Sequence, residues 1–461
     1  MDVANNHPAD AGRSPGCPCG ALNSTNIKVI IMPASRVSRL LPVFLTVQVA
    51  VVIAFGVGFA RNSSDATLRL KQIGKSRIDY PPLEITRQEP LRITPLYDDH
   101  EMISDEDLAA VLRQIQPRFP AQKIKPNYVE HALRVWGIDA EFRDPKVMSG
   151  RKMLDFLVNN AQYVASWGTK VSPLLQEEET GVAIRWGKEE GASVHHDHLL
   201  ACLSEAGVSL NEPVYTPSHR EKTINDILQQ ALRDFRLDER ETEWSVLAYG
   251  LWLPPAGKWK NNAGREITFD MLADRLIRGA LPLGVCHGTH RLYSLMALVR
   301  LDDEFNGQLI RPETRVRIMA HLKQVRDIII ASQFPDGHWA SNWPEGAESV
   351  KKPVEDELFR QVIATGHHLE WLAIAPEELH PPREKLHLAA TWLIKTTKGQ
   401  TRSEILEKYT FFSHVGNALA LWRHTRPADF WKQWEGAHAD EGTQVEPEPA
   451  AAPAKAKPEA H

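Results

Sequence analysis

The sequence predicts an all-α fold: about six helical hairpins forming an (α/α)6 toroid or barrel, preceded by a single N-terminal transmembrane helix. Three observations carry this. The first is a repeat. Five histidines open similar apolar segments at His131, His198, His290, His368 and His414, and a sixth segment reads Glu243-Trp244-Ser-Val-Leu-Ala. The intervals 198 to 244, 244 to 290 and 368 to 414 are each 46 residues, while 131 to 198 and 290 to 368 span 67 and 78, as inserted loops require. A period of this size marks stacked or circular two-helix units. The second is that an amphipathic stretch precedes every segment, whereas strand signals are scarce. The third is Leu40–Ala60, 21 residues without a charge, long enough to span a bilayer. An open solenoid of HEAT or armadillo type has a similar period and is the alternative to the ring.

In chain order, residues 1–39 read as a disordered, basic segment. Translation starting at Met32 would leave a compact leader of Arg36, Arg39 and the apolar run. Residues 40–60 are expected to be an uncleaved anchor; a cleaved signal peptide ending near Gly58-Phe59-Ala60 is the alternative. Arg61, Arg69, Lys71, Lys75 and Arg77 follow the run and argue for a cytoplasmic domain. A lone N-terminal apolar segment before a long domain argues for export, which is the expectation adopted. Residues 61–103, rich in Pro turns, read as a linker wrapping the domain.

The toroid is expected over 104–430. Ser104, Ser149, Thr223 and Thr268 are N-cap residues before amphipathic runs, and Gly279 is a C-terminal stop. Two longer amphipathic runs cover Thr314–Gln333 and Arg383–Thr397. These would form the outer helices and the apolar histidine segments the inner ones. From 435 to 461 a Pro/Ala/Glu/Lys tail lacks the apolar residues for a core and is expected to be disordered.

Composition narrows function only by exclusion. A net charge of −5 over 461 residues offers no field for nucleic acid. Four cysteines cannot build a disulfide scaffold. No P-loop, dinucleotide glycine pattern, H-E-x-x-H or G-x-S-x-G occurs.

Candidate site residues cluster at the predicted inner-helix starts. Thr289, Ser413 and Asp197 directly precede histidines and His367 precedes His368, so each histidine is expected in a first helical turn. Parallel inner helices would then gather His198, His290, His368 and His414 at one mouth, with Asp197, Glu370 and Trp371 beside them. The helix dipole there disfavours imidazolium, leaving neutral rings able to bind metal or act as bases. The bland alternative is that these residues only pack the repeat. Cys286-His287-Gly288-Thr289-His290 is the densest cluster of zinc-ligand types, with Cys286 and His287 the candidate ligands of a zinc; the alternative is a small buried cysteine packed at a close turn, with no cofactor. A His-rich central cavity would take a small molecule or peptide as an enzyme; a plugged centre would favour an anchored scaffold that binds a protein or peptide.

The string Gln333-Phe-Pro-Asp336-Gly337-His338-Trp339 resembles the Q-x-x-D-G-x-W repeat of the prenyltransferase, squalene oxidase and terpene cyclase superfamily. The resemblance implies an (α/α)6 toroid in which Gln333, the Asp336-Gly337 turn and Trp339 lock one outer helix to the next unit. It implies cyclase- or transferase-like, or carbohydrate-active, chemistry. The D-x-D-D motif of protonating cyclases is absent. Cys286-His287-Gly288 resembles the inner-helix start of lanthionine cyclase-like proteins, which implies a zinc that recruits a second cysteine from a neighbouring inner helix. Here that neighbour offers Glu243-Trp244 instead.

Overall fold

The structure, a computed structural model, describes residues 81–255, 257–281 and 285–438. The expected anchor at 40–60, the segment before it, the start of the linker and the tail beyond 438 lie outside the described residues. Among the described residues no helix is long and apolar enough to cross a membrane.

The chain is predominantly helical. In order, the elements are α1 (Asp105–Gln114), α2 (Pro126–Trp136), α3 (Gly150–Val158) and α4 (Asn160–Trp167), then β1 (Leu175–Glu178) and β2 (Gly181–Ile184). Next come α5 (His198–Glu205), β3 (Pro213–Val214), β4 (Lys222–Thr223), α6 (Ile224–Asp234) and α7 (Glu243–Trp252). After β5 (Trp259–Lys260), β6 (Glu266–Ile267) and α8 (Phe269–Arg278), a short turn over Val285–Gly288 leads into α9 (Thr289–Glu304). The last elements are α10 (Pro312–Ser332), α11 (Ala347–Lys351), α12 (Leu358–Ala373), α13 (Arg383–Lys398), α14 (Arg402–Glu407), α15 (Tyr409–Trp422) and α16 (Pro427–Ala437). The strands form three separate antiparallel pairs in the connections. The long 131-to-198 interval holds α4 and the β1–β2 hairpin; the 290-to-368 interval holds α11.

Local chemistry sets the helix starts. Ser104, Ser149 and Thr268 accept hydrogen bonds from Asp107, Lys152 and Met271 backbone N–H, and Thr223 with Asp226 forms a reciprocal capping box. The run from Ser149, expected as one helix, breaks at Asn159. Its backbone is extended there, and its side chain caps α4 through Ala161 N–H.

Two helix populations follow from burial. All ten residues of α7 are buried, as are seven of the eight in α5. By contrast α10 buries one stripe, Thr314, Ile318, Leu322, Val325, Ile329 and Ser332, spaced three or four apart. Each apolar member of that stripe contributes about 1.5–3 kcal/mol of burial. The six buried helices pack in a closed cycle, α2 on α5, α5 on α7, α7 on α9, α9 on α12, α12 on α15 and α15 back on α2. The stripe helices flank it: α3 lies against α2, α8 against α7 and α9, α10 against α8 and α9, and α13 against α12, α15 and α1.

Residues 81–103 bind this body by backbone bonds. Leu91 N–H donates to Leu251 O, Asp99 N–H to Trp422 O, and Leu83 pairs with the Gln229 amide. Helix α16 runs to Ala437, past the expected boundary at 430, because Trp431 buries against Trp136.

Candidate metal centre

Each buried helix contributes one aromatic ring to a single layer. The ring centroids run His131 to His198 at 4.7 Å, His198 to Trp244 at 4.3 Å and Trp244 to His290 at 4.0 Å. The cycle continues from His290 to His367 at 4.1 Å, His367 to His414 at 3.8 Å and His414 to His131 at 4.9 Å. His290 also lies 5.6 Å from His414 across the ring, so the layer is puckered and filled. The expected open centre is therefore occupied, at this level, by imidazoles. All six residues are buried.

Two expectations are corrected here. The first-turn expectation holds for His198 and His290, the first and second residues of α5 and α9, but not for the later helices: α12 begins at Leu358 and α15 at Tyr409, so His367 and His414 sit well inside them. Thr289 is the first residue of α9 rather than its cap, and its hydroxyl donates to Cys286 O. The second correction concerns phase. His367, not His368, belongs to the layer. His368 points elsewhere, its Nδ1 accepting from the Trp371 indole at 3.2 Å and its ring packed by Trp339 and Trp343. Successive helical residues are separated by about 100°, so one position decides the face. Trp371 is fully buried and its indole N–H donates to His368.

A second layer lies three residues further along four helices: Arg134 after His131, Tyr293 after His290, Glu370 after His367 and Asn417 after His414. Glu370 is its hub. It accepts from Arg134 Nη1 at 3.0 Å and Asn417 Nδ2 at 2.7 Å, and lies 2.6 Å from His367 Nδ1 and 3.0 Å from His414 Nδ1. Arg134 Nε donates to Glu205 at 2.5 Å, and Tyr293 Oη donates to Glu205 at 2.7 Å. Burial pushes the Glu370 carboxyl up, but Arg134, His414 and His367 outweigh it and hold it well below the usual range. The same step order along α2, α9, α12 and α15 means that these helices run the same way.

Burial holds every imidazole of the first layer below its ordinary value. His131 and His290 are pushed well below it, His198 and His367 lowered despite Glu130 and Glu370, and His414 brought to about 3. Burial favours the neutral form of each ring. Three also carry buried, unpartnered Nε2 atoms: His290, His367 and His414.

The expected ligand Cys286 is in place, and His287 is not. Donor atoms of Cys286, His290 and His367 all lie within 4.8 Å of one another, a grouping that can hold a metal ion. A second trio, His367, Glu370 and His414, shares that spacing, but its Glu370 oxygens are already hydrogen-bonded. Cys286 and His287 both adopt left-handed backbone, φ 48° and 59°, followed by Gly288 at φ 84°. Non-glycine residues enter that region at a cost of order 1–3 kcal/mol each. The turn brings the Cys286 thiol to the imidazoles, while His287 is in neither trio. Without a metal, burial pushes the Cys286 thiol far up, followed by the charges of Glu370, Glu241 and Glu243.

The chain matches no known family model, no curated protein and no solved structure.

The remaining expected residues have separate partners. Asp197 accepts from Ser245 Oγ at 2.6 Å and Tyr249 Oη at 3.1 Å, tying α5 to α7. His198 Nδ1 lies 2.5 Å from Glu130, with Cys202 Sγ 3.4 Å from its Nε2. That chain is fully buried. His195 and His196 pair with Glu241 and Glu239. The dense 195–198 run is thus divided among four partner sets. Sequence reasoning named Glu370 but missed His367 as a layer member and Arg134, Tyr293 and Asn417 as the partners in the second layer. The available signal was the polar residue three positions after each of four layer histidines.

Proposed function

We propose that this chain is a membrane-tethered (α/α)6 toroid carrying a zinc centre at Cys286, His290 and His367, and that the zinc activates a bound nucleophile. One observation carries the reading: a thiol and two neutral, buried imidazoles with unpartnered Nε2 atoms converge within 4.8 Å. Buried polar atoms without partners are uncommon and call for an explanation such as an ion. His367 presents its free Nε2 while Nδ1 faces Glu370, the carboxylate–histidine–metal arrangement that fixes a ligand's orientation.

Three protein ligands leave the fourth tetrahedral position for water or substrate. With one thiolate, the zinc keeps a net positive charge that two thiolates would cancel. That charge favours a bound water of pKa about 7 as the nucleophile. The likeness of Cys286-His287-Gly288 to lanthionine cyclase-like proteins supports the same position for a metal, with His290 and His367 replacing the missing cysteine.

The ring fold is supported by the closed packing cycle of six buried helices. It is supported also by the Gln333–Trp339 string, whose hydrogen bonds agree with the locking role the resemblance implies. Gln333 Nε2 donates to Gly337 O and to Lys385 O of α13, and the Trp339 indole donates to Ile329 O. A Cβ at Gly337 would stand 2.3 Å from Leu388 O, so that turn needs glycine. The apolar run Leu40–Ala60 supports the tether, with the folded domain exported.

The filled layer favours a second reading, an anchored scaffold in which the metal is structural. Cobalt substitution separates the two. The enzyme reading predicts a thiolate-to-cobalt charge-transfer band lost in Cys286→Ser, with a spectrum that titrates near neutral pH as the bound water ionises. A pH-invariant spectrum supports the scaffold; absence of the band rejects the ligand set.

A further inference from the structure

The zinc centre uses two of the unpartnered polar atoms in the histidine layer and leaves three. His198 is partnered on both nitrogens, by Glu130 and Cys202. His131 Nδ1, the Trp244 indole N–H and the Nε2 atoms of His290, His367 and His414 are buried without a hydrogen-bond partner. Such atoms call for an explanation. The metal accounts for His290 and His367. In the cycle of rings His131 packs on His198 and His414 and adjoins neither ligand. Trp244 and His414 do: the Trp244 ring lies 4.0 Å from His290, and the His414 ring 3.8 Å from His367 and 5.6 Å from His290. Each ligand ring is thus flanked by a ring with an unused polar atom.

The two unused atoms have opposite character. An indole N–H can only donate. Trp244 stands where the other five inner helices place a histidine, so it brings to the layer a donor that no tautomer can reverse. Buried indoles ordinarily find an acceptor, as those of Trp339, Trp371 and Trp422 do. His414 is set the other way. Its Nδ1 lies 3.0 Å from Glu370 and 3.1 Å from Arg134 Nη1, but that guanidinium donates to Glu370 itself at 3.0 Å. The carboxylate therefore keeps the proton on Nδ1, and Nε2 is left as an acceptor. One donor and one acceptor beside the metal ligands suit a small group that is itself both, such as water.

Resting on the zinc reading above, we infer that Trp244 and His414 hold the metal's fourth ligand. The Trp244 N–H donates to it, and His414 Nε2 accepts a hydrogen bond from it. Trp244 therefore favours negative charge on that ligand, as a donor fixed in a water-poor site does.

The test uses the full chain loaded with cobalt and titrated with azide, an anion that accepts hydrogen bonds and has no proton to donate. The change in the cobalt spectrum reports occupation of the fourth position. Trp244→Phe, which keeps a ring but not the N–H, should retain the cobalt and its thiolate band and bind azide about tenfold more weakly. His414→Phe should bind azide more tightly, because the opposing lone pair is gone. Trp343→Phe removes another buried, unpartnered indole, one outside the layer, and should leave the affinity unchanged. A purely structural role for Trp244 would change cobalt retention instead of azide affinity. Unchanged azide affinity in cobalt-loaded Trp244→Phe, or no azide binding by the loaded wild-type chain, overturns the inference and leaves the metal's protein ligands standing. Weaker azide binding by His414→Phe overturns the part assigned to His414. A wild-type chain that takes up no cobalt overturns both readings.

Discussion

The two faces of the histidine layer share a composition and differ in how far it is satisfied. On one face Glu370, Arg134, Glu205, Tyr293 and Asn417 form a closed network in which each charge meets an opposite charge or a hydrogen bond. On the other, Cys286, His290 and His367 bring donor atoms together, and the Nε2 atoms of both histidines have no partner. A buried polar group is tolerated when paired and costly when orphaned. The first face therefore reads as architecture that holds α2, α5, α9, α12 and α15 in register. The second reads as a place prepared for an ion, and the left-handed turn at Cys286-His287 adds strain that packing alone does not require.

The largest expected effect tests the layer both faces share. His131, His198, His290, His367 and His414 are all held below their ordinary value, so the unfolded chain binds more protons than the folded one as pH falls. Their contribution is complete above the unfolded value of 6.5 and is lost as pH drops below it, toward the folded value of about 3 for His414. Each contributes a slope of up to about 1.4 kcal/mol per pH unit. Denaturant unfolding between pH 7.5 and 5 should thus show a steep loss; a flat profile means that the rings are not neutral and buried.

Next in size is the closed face. Arg134→Met leaves Glu370 and Glu205 without their cation, and breaking a buried pair this way costs about 3–5 kcal/mol. A loss below 1 kcal/mol in urea unfolding would show that this network does not hold the helices. Smaller still is the link between faces. Glu370→Gln should weaken zinc affinity by about 10–100-fold through His367, measured by competition with a chelator. Unchanged affinity would separate the faces entirely.

How much of this was legible depended on the element. The outer helices announced themselves through their caps and three-to-four spacing, because Ser104, Ser149, Thr223 and Thr268 act locally. The inner helices were legible as a count but not in phase. Leu369, Leu372 and Ala373 repeat the apolar positions that follow His198 and His414, yet a fully buried helix segment is apolar on every side, so this pattern could not choose between His367 and His368. The starts of α12 and α15 were missed because no side chain caps either helix. Cys286 was legible as a ligand type, and His290 stands in the same string four residues on; His367 was not legible as their partner, since it arrives from a helix 81 residues beyond Cys286 and a left-handed turn decides what the thiol faces. Of the second layer only Glu370 was legible, because Arg134, on a separate helix, looks singly like a solvated charge.

The central claim rests on the metal. Zinc content of protein purified without a histidine tag, measured by elemental mass spectrometry, tests it directly. The account predicts one zinc per chain, lost in Cys286→Ala and in His367→Ala, retained in His287→Ala and Cys202→Ala, with helical content unchanged throughout. A metal-free wild-type protein, or zinc retained in folded Cys286→Ala, would contradict it.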